Sequence, residues 1–351
     1  MIRKLVIGSL LFLSIAGCSS QPHVLHFEFP EGTQAVWPPP PEPAKLAYIG
    51  DLTGETNFTP EGEDGGLSRS WAKVLFGVGL DPEAKEVLIR PQGVVTDANG
   101  RIYVTDVGKQ AVFVFDPAAG EVKIWLHTEG TQRFGQPIGI LALPSGELLV
   151  ADAELGRVFR FNAEGVLQGS FGHQLLKRPT GLAFDPLQGR IFVSDTHGHD
   201  IKVFDLQGVL VDTWGDFGDQ PGQFNSPVYM VYRDNLLYVV DTLNARLQVL
   251  DEAGNYLRGF GKRGGFVGNF VRPKGVALDS EGNIYISESY HDYMLIFGQQ
   301  GRFLLPIGGA GKSAGKFFHP SGIWIDSQNR IYVADMLNGR VSIFQYLGEE
   351  V

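Results

Sequence analysis

Four histidines are the first candidates for chemistry in this sequence. His197 and His199 lie in the run DTHGHD at residues 195–200, His291 lies in a similar polar run, and His319 directly precedes a proline. Imidazole nitrogens are ligands that zinc and other borderline metals accept. If the fold brings three of these rings together, they could hold zinc or, with carboxylates, calcium. The other interpretation is that they are separate surface turn residues, and no cofactor is predicted.

Charged residues at recurring positions are the second set of candidates. A cation or potential cation precedes a proline four times, and acidic residues recur at the end of short apolar runs. The members are Arg90, Arg178, Arg272 and His319, and Asp106, Asp195, Asp241 and Glu288. Together they could form a rim that binds a polar or anionic ligand. Alternatively, they could pair with one another and join neighbouring elements, an interpretation favoured where Arg follows Asp by five residues, as in Asp241 and Arg246.

Two glycine-rich runs imitate nucleotide-binding motifs. Residues 259–264 match GxGxxG by letters, but a dinucleotide site requires that loop to open a helix in a βαβ unit. Residues 311–313 spell GKS, yet Pro306 stands where the first glycine of a phosphate-binding loop would be. The sequence contains no HExxH, and residues 311–315, GKSAG, match GxSxG by letters only, because no helix follows them as a nucleophile elbow requires. It therefore predicts no nucleotide site and no complete catalytic motif.

The elements that must position these residues form six copies of one unit. Each copy opens with a proline, at intervals of 42 to 48 residues, and the six are Pro91, Pro137, Pro179, Pro227, Pro273 and Pro320. Repeats of this period indicate a propeller or a solenoid. Within a copy, β-branched and aromatic runs of four to six residues alternate with Gly, Asn, Asp and Ser, which is the pattern of strands rather than helices.

Four strands per copy predict an all-β fold, a six-bladed β-propeller of four-stranded antiparallel blades. The last copy has only three strands, and an open edge would invite aggregation. Residues 45–51 resemble the fourth strand of the other copies. We therefore expect them to pair with residues 340–346 and close the ring. In such a ring, the turn after the second strand and the loop entering the first strand share one face.

The copies resemble NHL repeats, whose pattern is close to PxGVAVDxxGxIYVxDxxNxRVxVF. Blade six matches at Pro320, Gly322, Asp326, Tyr332, Asp335, Asn338, Arg340 and Phe344. The resemblance covers roughly residues 91–344 and implies the fold, but such folds carry many activities. Amidating lyases and some lactonases resemble this fold and hold a metal on the axis. Blade four departs most, with Val228 and Tyr229 in place of small residues.

The amino-terminal region resembles a bacterial lipoprotein signal. A basic start and an apolar core too short to span a membrane precede Cys18, the only cysteine. We expect residues 1–17 to be removed and Cys18 to be acylated, holding the protein at a bacterial envelope membrane. Ser19 favours the outer over the inner membrane. Residues 18–44 are interpreted as a proline-rich tether, residues 45–351 as the propeller, and residues 68–76 as a short helix.

Charge limits the partners. The formal charge is −10, and loss of Arg3 and Lys4 with the leader makes it more negative. An acidic, exported chain without a basic run offers no electrostatic attraction for nucleic acid. The leading hypothesis is a non-enzymatic module that binds a protein, glycan or small ligand on one propeller face. The alternatives are a metal-dependent lyase or hydrolase and a structural subunit of an envelope complex.

Overall fold

The computed structural model describes residues 22–29, 35–60 and 85–348, and these form the predicted six-bladed β-propeller. Four strands precede the repeats: β1 (His23–Leu25), β2 (Val36–Trp37), β3 (Leu46–Leu52) and β4 (Phe58–Pro60). Blades one to five each consist of four consecutive antiparallel strands. This agrees with the strand pattern of the sequence, and the predicted fold class is confirmed.

The strands of the repeats follow in chain order. Blades one and two contain β5 (Pro91–Thr96), β6 (Ile102–Asp106), β7 (Ala111–Asp116), β8 (Glu121–Trp125), β9 (Pro137–Ala142), β10 (Leu148–Asp152), β11 (Arg157–Phe161) and β12 (Leu167–Phe171). Blades three and four contain β13 (Pro179–Asp185), β14 (Arg190–Asp195), β15 (Asp200–Phe204), β16 (Leu210–Trp214), β17 (Pro227–Arg233), β18 (Leu236–Asp241), β19 (Arg246–Leu250) and β20 (Tyr256–Phe260). Blades five and six contain β21 (Pro273–Leu278), β22 (Ile284–Glu288), β23 (Tyr293–Phe297), β24 (Phe303–Gly308), β25 (Pro320–Ile325), β26 (Arg330–Asp335) and β27 (Arg340–Tyr346). Single 3-10 turns occupy Glu55–Asn57, Thr242–Asn244 and Met336–Asn338.

Blade six is completed by the amino-terminal strand, as expected from the missing fourth strand. β3 pairs antiparallel with β27, in a register that joins Leu52 to Val341 and Leu46 to Tyr346. β2 then adds a fifth strand outside β3. Because this pairing uses the edge of β27, the two ends of the repeat region are joined within one sheet.

A buried polar network holds the closing strand in place. The Arg340 guanidinium lies 2.8 Å from carboxylate oxygens of both Asp51 on β3 and Asp335 on β26. The Ser342 hydroxyl donates a 2.8 Å hydrogen bond to Asp51. Burial raises the pKa of Asp51, while the Arg340 charge opposes that rise. The charges are therefore stabilised by each other rather than by water.

The repeated Asp and Tyr of the NHL pattern stabilise the turn between the first two strands of a blade. In blades one, five and six, the Tyr hydroxyl donates to the Asp that begins the turn, at 3.0 to 3.1 Å. The same carboxylates accept backbone N–H groups within the turn. The Tyr side chains are buried, and each Tyr hydroxyl has a hydrogen-bond partner in the Asp carboxylate.

The predicted tether needs correction. Its residues 35–37 are held against blade six, where β2 pairs with β3 and the centre of the Trp37 ring lies 5.7 Å from that of Phe344, while residues 39–43 are exposed. Earlier in the predicted tether, β1 pairs with β4. The leader at 1–17, Cys18 and the predicted helix at 68–76 lie outside the described residues. Within the described residues, no helix is long and apolar enough to cross a membrane.

Replacing Asp51 with alanine should destabilise the ring. The change leaves the buried Arg340 guanidinium with one carboxylate instead of two and removes the acceptor of Ser342, so we expect a loss of about 3 kcal/mol. Urea unfolding followed by tryptophan fluorescence measures it. The matched control is Asp234→Ala, which removes an exposed carboxylate. Equal stability of the two variants would contradict the assignment of this network to closure.

Candidate functional site

One face of the propeller gathers most of the predicted site residues. We define the upper face as the loops entering the first strand of each blade and the turns between the second and third strands. The backbone N–H of Val107, Thr196 and Ser289 in those turns donates to the carbonyl of Arg90, Arg178 and Arg272, respectively, at 3.0 to 3.1 Å. The loops and turns are therefore joined directly, as the sequence predicted.

The acidic ring is buried beneath this face. Asp106 is fully buried and accepts backbone N–H groups of Ile89, Arg90, Gly108 and Lys109 at 2.6 to 3.0 Å. Asp195, Asp241 and Glu288 hold the corresponding loops in blades three, four and five. This corrects the expectation that Asp106, Asp195, Asp241 and Glu288 contact a ligand, because these carboxylates are covered and already hydrogen-bonded.

In three blades the Asp that ends the second strand is followed by Arg five residues later, and two of these three pairs are ion pairs. Asp241 lies 2.8 Å from Arg246, and Asp335 lies 2.8 Å from Arg340. In blade two, the Arg157 guanidinium instead lies 3.0 Å from His173, while Asp152 holds backbone N–H groups. The structural interpretation of these pairs agrees with the geometry in blades four and six.

The four candidate histidines contact different partners. His199 Nδ1 accepts the Ser226 backbone N–H at 3.1 Å, and its ring lies 4.9 Å from that of Phe217. His291 Nδ1 lies 3.0 Å from Glu288. His197 is exposed, and His319 donates its backbone N–H to Asp292. Within the described ranges, no group of three His, Cys, Asp or Glu residues is arranged to hold a metal.

A group of cations lies at the upper end of the central channel. Arg178 enters blade three, while Arg272 and Lys274 belong to blade five. Burial lowers the pKa of Lys274, and the nearby charges of Arg272 and Arg178 lower it further. Arg178 also donates to the Gln136 side chain at 3.0 Å. Among the described residues, no carboxylate forms an ion pair with any of the three cations. We call Arg178, Arg272 and Lys274 the cationic mouth.

Arg90 and His319 stand at the positions in blades one and six that correspond to Arg178 and Arg272. Arg90 is exposed and His319 is half-buried. They therefore border the channel entrance on the upper face, although neither is among the charges that shift the pKa of Lys274.

The channel is closed below this mouth by Tyr229. Five blades have glycine two residues after the opening proline, where the first strands approach closely: a Cβ on Gly139 would lie 2.1 Å from the Thr180 carbonyl oxygen. Blade four has Tyr229 there, and its hydroxyl donates to the Gln92 carbonyl of the opposite blade at 2.9 Å. The glycines therefore allow neighbouring first strands to approach, and a Cβ on Gly322 would also lie 3.4 Å from Cζ of the Tyr229 ring.

Sequence reasoning missed a set of buried hydroxyls on the second strand of alternate blades. Thr105, Ser194 and Ser287 accept the backbone N–H of their own blade's glycine at 2.7 to 2.9 Å. Each hydroxyl also donates to a carbonyl of the next blade, at 2.7 Å for Thr105 to Ile138. The signal was present, since Ser or Thr precedes the acid in blades one, three and five only.

Exposed apolar side chains lie on the upper face in blades four to six. Phe266 is 83% exposed, Phe217 65% and Tyr290 60%, and Leu243, Phe318 and Leu337 are also exposed. The loops at 261–272 and 309–319, which enter blades five and six, contain five Lys or Arg and no acidic residue. Exposed aromatic residues beside such charges are typical of an interaction surface.

Family models match two parts of the chain. The NHL repeat matches residues 88–115, and a 6-bladed β-propeller family matches residues 278–347. Human NHL-repeat-containing protein 4 is 36% identical over 26% of this chain and 79% of its own length. Peptidyl-glycine α-amidating monooxygenase A of Xenopus laevis is 27% identical over 52% of the chain, which spans only 22% of that relative.

Solved structures share the fold at low sequence identity. A Bacteroides thetaiotaomicron protein of unknown function aligns with a TM-score of 0.58 at 14% identity, over 74% of this chain and 70% of its own. An auxiliary nutrient binding protein from Bacteroides ovatus gives 0.57 at 16%, over 73% and 69%. Virginiamycin B lyase from Staphylococcus aureus gives 0.54 at 14%, over 73% and 94%. At these identities the similarity demonstrates the fold alone.

Replacing Asp106 with alanine should destabilise blade one rather than impair binding selectively. Four backbone N–H groups lose their acceptor in a buried place, so we expect a loss of about 3 kcal/mol or more. Chemical unfolding measures this, with the exposed Glu164→Ala as the control variant. An Asp106→Ala protein of unchanged stability would mean that the carboxylate is not structural.

Proposed function

The chain belongs to the NHL-repeat family of β-propellers, and from this premise we propose that it is a lipid-anchored, non-enzymatic binding protein of the bacterial cell envelope. Its ligand is anionic and occupies the upper face. The observation that carries this proposal is the cationic mouth, three cations within a chain whose net charge is −10.

The cationic mouth has the chemistry of an anion site. Lys274 is partly withdrawn from water, and two guanidinium groups stand near enough to depress its pKa. Like charges held together in a partly desolvated place are unfavourable by themselves, so a bound anion would relieve their repulsion. Guanidinium groups also donate paired hydrogen bonds to carboxylates and phosphates.

The surroundings of the mouth favour a protein as the source of the anion. A free small molecule would need only the channel entrance, whereas the apolar side chains of Phe217, Phe266, Tyr290 and Phe318 lie outside it. Interfaces between proteins combine such aromatic residues with charged groups at the edge. We infer that the partner inserts an acidic segment into the mouth and covers the apolar residues around it.

The position of the amino-terminal segment supports an orientation for the anchored protein. We define the lower face as the opposite side, which carries the turns between first and second and between third and fourth strands. His23 lies there, because a Cβ on Gly120 in the last turn of blade one would be 2.4 Å from its carbonyl oxygen. Cys18 is only five residues earlier. An acyl group on Cys18 would therefore keep the lower face towards the membrane and the cationic mouth away from it.

Removing the mouth charges should weaken anion binding. The probe is a fluorescein-labelled hexaglutamate peptide, measured by anisotropy with wild type, Arg178→Gln, Arg272→Gln and Lys274→Met. Because hydrogen bonds to charged groups contribute about 1.5–3 kcal/mol, each variant should bind about 10- to 100-fold more weakly. Arg302→Gln, a change to an exposed arginine in the turn between β23 and β24 on the lower face, should differ by less than about threefold, since exposed charges contribute little.

The pH profile identifies Lys274 specifically. A bound anion favours the charged amine, so binding should be strong below the lowered pKa of free Lys274 and decline as pH rises through the pKa of the bound state. The arginines remain charged in this range, and Lys274→Met should lose the alkaline decline. Binding that is equal in wild type and all three mouth variants would refute the proposed site.

Replacing Cys18 with serine should release the protein from the membrane. The acyl chains are the only anchor that we propose, so Cys18→Ser should lose palmitate labelling and move from the membrane to the soluble fraction after cell lysis. Ser19→Ala is the control and should stay in the membrane fraction. Retention of Cys18→Ser in the membrane would contradict the anchor without affecting the anion site.

A further inference from the structure

The lower half of the central channel is a separate apolar cavity. It has a volume of about 350 Å³ and is lined by first strands of all six blades. Its walls include Leu182, Met230, Val276, Leu278 and Ile323, all of them nearly buried. Tyr229 also lines the cavity and forms its inner end, so the apolar space is divided from the cationic mouth.

The walls suit a hydrocarbon better than water. An ordered buried water needs two to four polar partners, whereas the side chains named above offer none. The volume lies near the lower limit of ordinary ligand pockets. A slender apolar chain that enters from the lower face fits these two features.

One charged group stands at the entrance. Arg233, the last residue of β17, lines the cavity, and its Nη1 donates to the carbonyls of Leu278 at 3.2 Å and Asp279 at 2.6 Å. These bonds fix the guanidinium between blades four and five. Asp234 lies 3.7 Å from Nε and is exposed, and Nη2 makes no hydrogen bond to described residues. The two N–H groups of Nη2 are therefore available for an acceptor at the entrance.

We propose that the lower cavity binds a single saturated acyl chain with a free carboxylate, with the chain along the channel and the carboxylate at Arg233. The class of ligand is a medium-chain fatty acid. Burial of each methylene group supplies the affinity, and the charge-assisted bond to Arg233 selects the headgroup. The cavity is independent of the anionic partner at the upper face, from which Tyr229 separates it.

The test is calorimetric titration of the full-length protein without acyl groups, Cys18→Ser, with decanoate, decanol and decylammonium. We expect one decanoate per chain. Val231→Trp, which places a large side chain on the half-buried channel wall, should weaken binding at least about tenfold by filling the space. Val209→Trp is the matched control, since Val209 is 59% exposed and is absent from the cavity lining. Ile325→Phe fills the same cavity from blade six, should Val231→Trp fail to fold.

Headgroup selection is tested with Arg233→Gln. Loss of the charged donor should weaken decanoate about tenfold or more and leave decanol unchanged, while Arg302→Gln, a change to an exposed arginine outside the cavity lining, should alter neither. Absence of saturable binding by folded protein would overturn the proposal. If Val231→Trp and Ile325→Phe bound decanoate as tightly as the protein with the unfilled cavity, the ligand would lie elsewhere, and this result would also overturn the proposal. Decylammonium binding as tight as that of decanoate would overturn the role of Arg233.

Discussion

The closure of blade six by β3 is the interaction on which the rest of the structure depends. Six sheets surround a channel only if the first and last repeats meet, and the buried contacts of Arg340 with Asp51 and Asp335 fix how they meet. A buried carboxylate without its partner would be costly, so this register is strongly preferred over its alternatives. The proximity of Arg178 to Arg272 and Lys274 depends on this closure, because the residues come from different blades and only the closed ring brings them together.

The periodic features of the fold were predictable from the sequence, because each blade must bury the faces of a similar four-stranded sheet against its neighbours. Proline, glycine, acid and tyrosine positions recur because each has one local role. β3 was identifiable because blade six has only three strands of its own and needs a fourth. The site was less predictable. Asp106 and its equivalents looked functional by their position, but the sequence does not show how many backbone N–H groups surround a carboxylate. Lys274 was missed because its neighbour Arg178 lies two blades away and nearly a hundred residues earlier.

The blades alternate in how they are joined. Blades one, three and five carry Thr105, Ser194 and Ser287, which donate to a carbonyl of the next blade, while in blades four and six the acid that ends the second strand forms an ion pair with an arginine. The six blades are therefore not equal units. Tyr229 breaks even this symmetry, and the asymmetry divides one channel into a polar and an apolar compartment.

The antiparallel register of β3 and β27 also has a mechanical consequence. Leu46 lies beside Tyr346, so a pull that separates the two chain ends would unzip the hydrogen bonds of blade six one after another. A load between the start of β3 and an object held on the upper face would act along the strand axis instead. All bonds between β3 and β27 would then share it in shear, which makes a ring closed in this way far stronger in one direction than in the other.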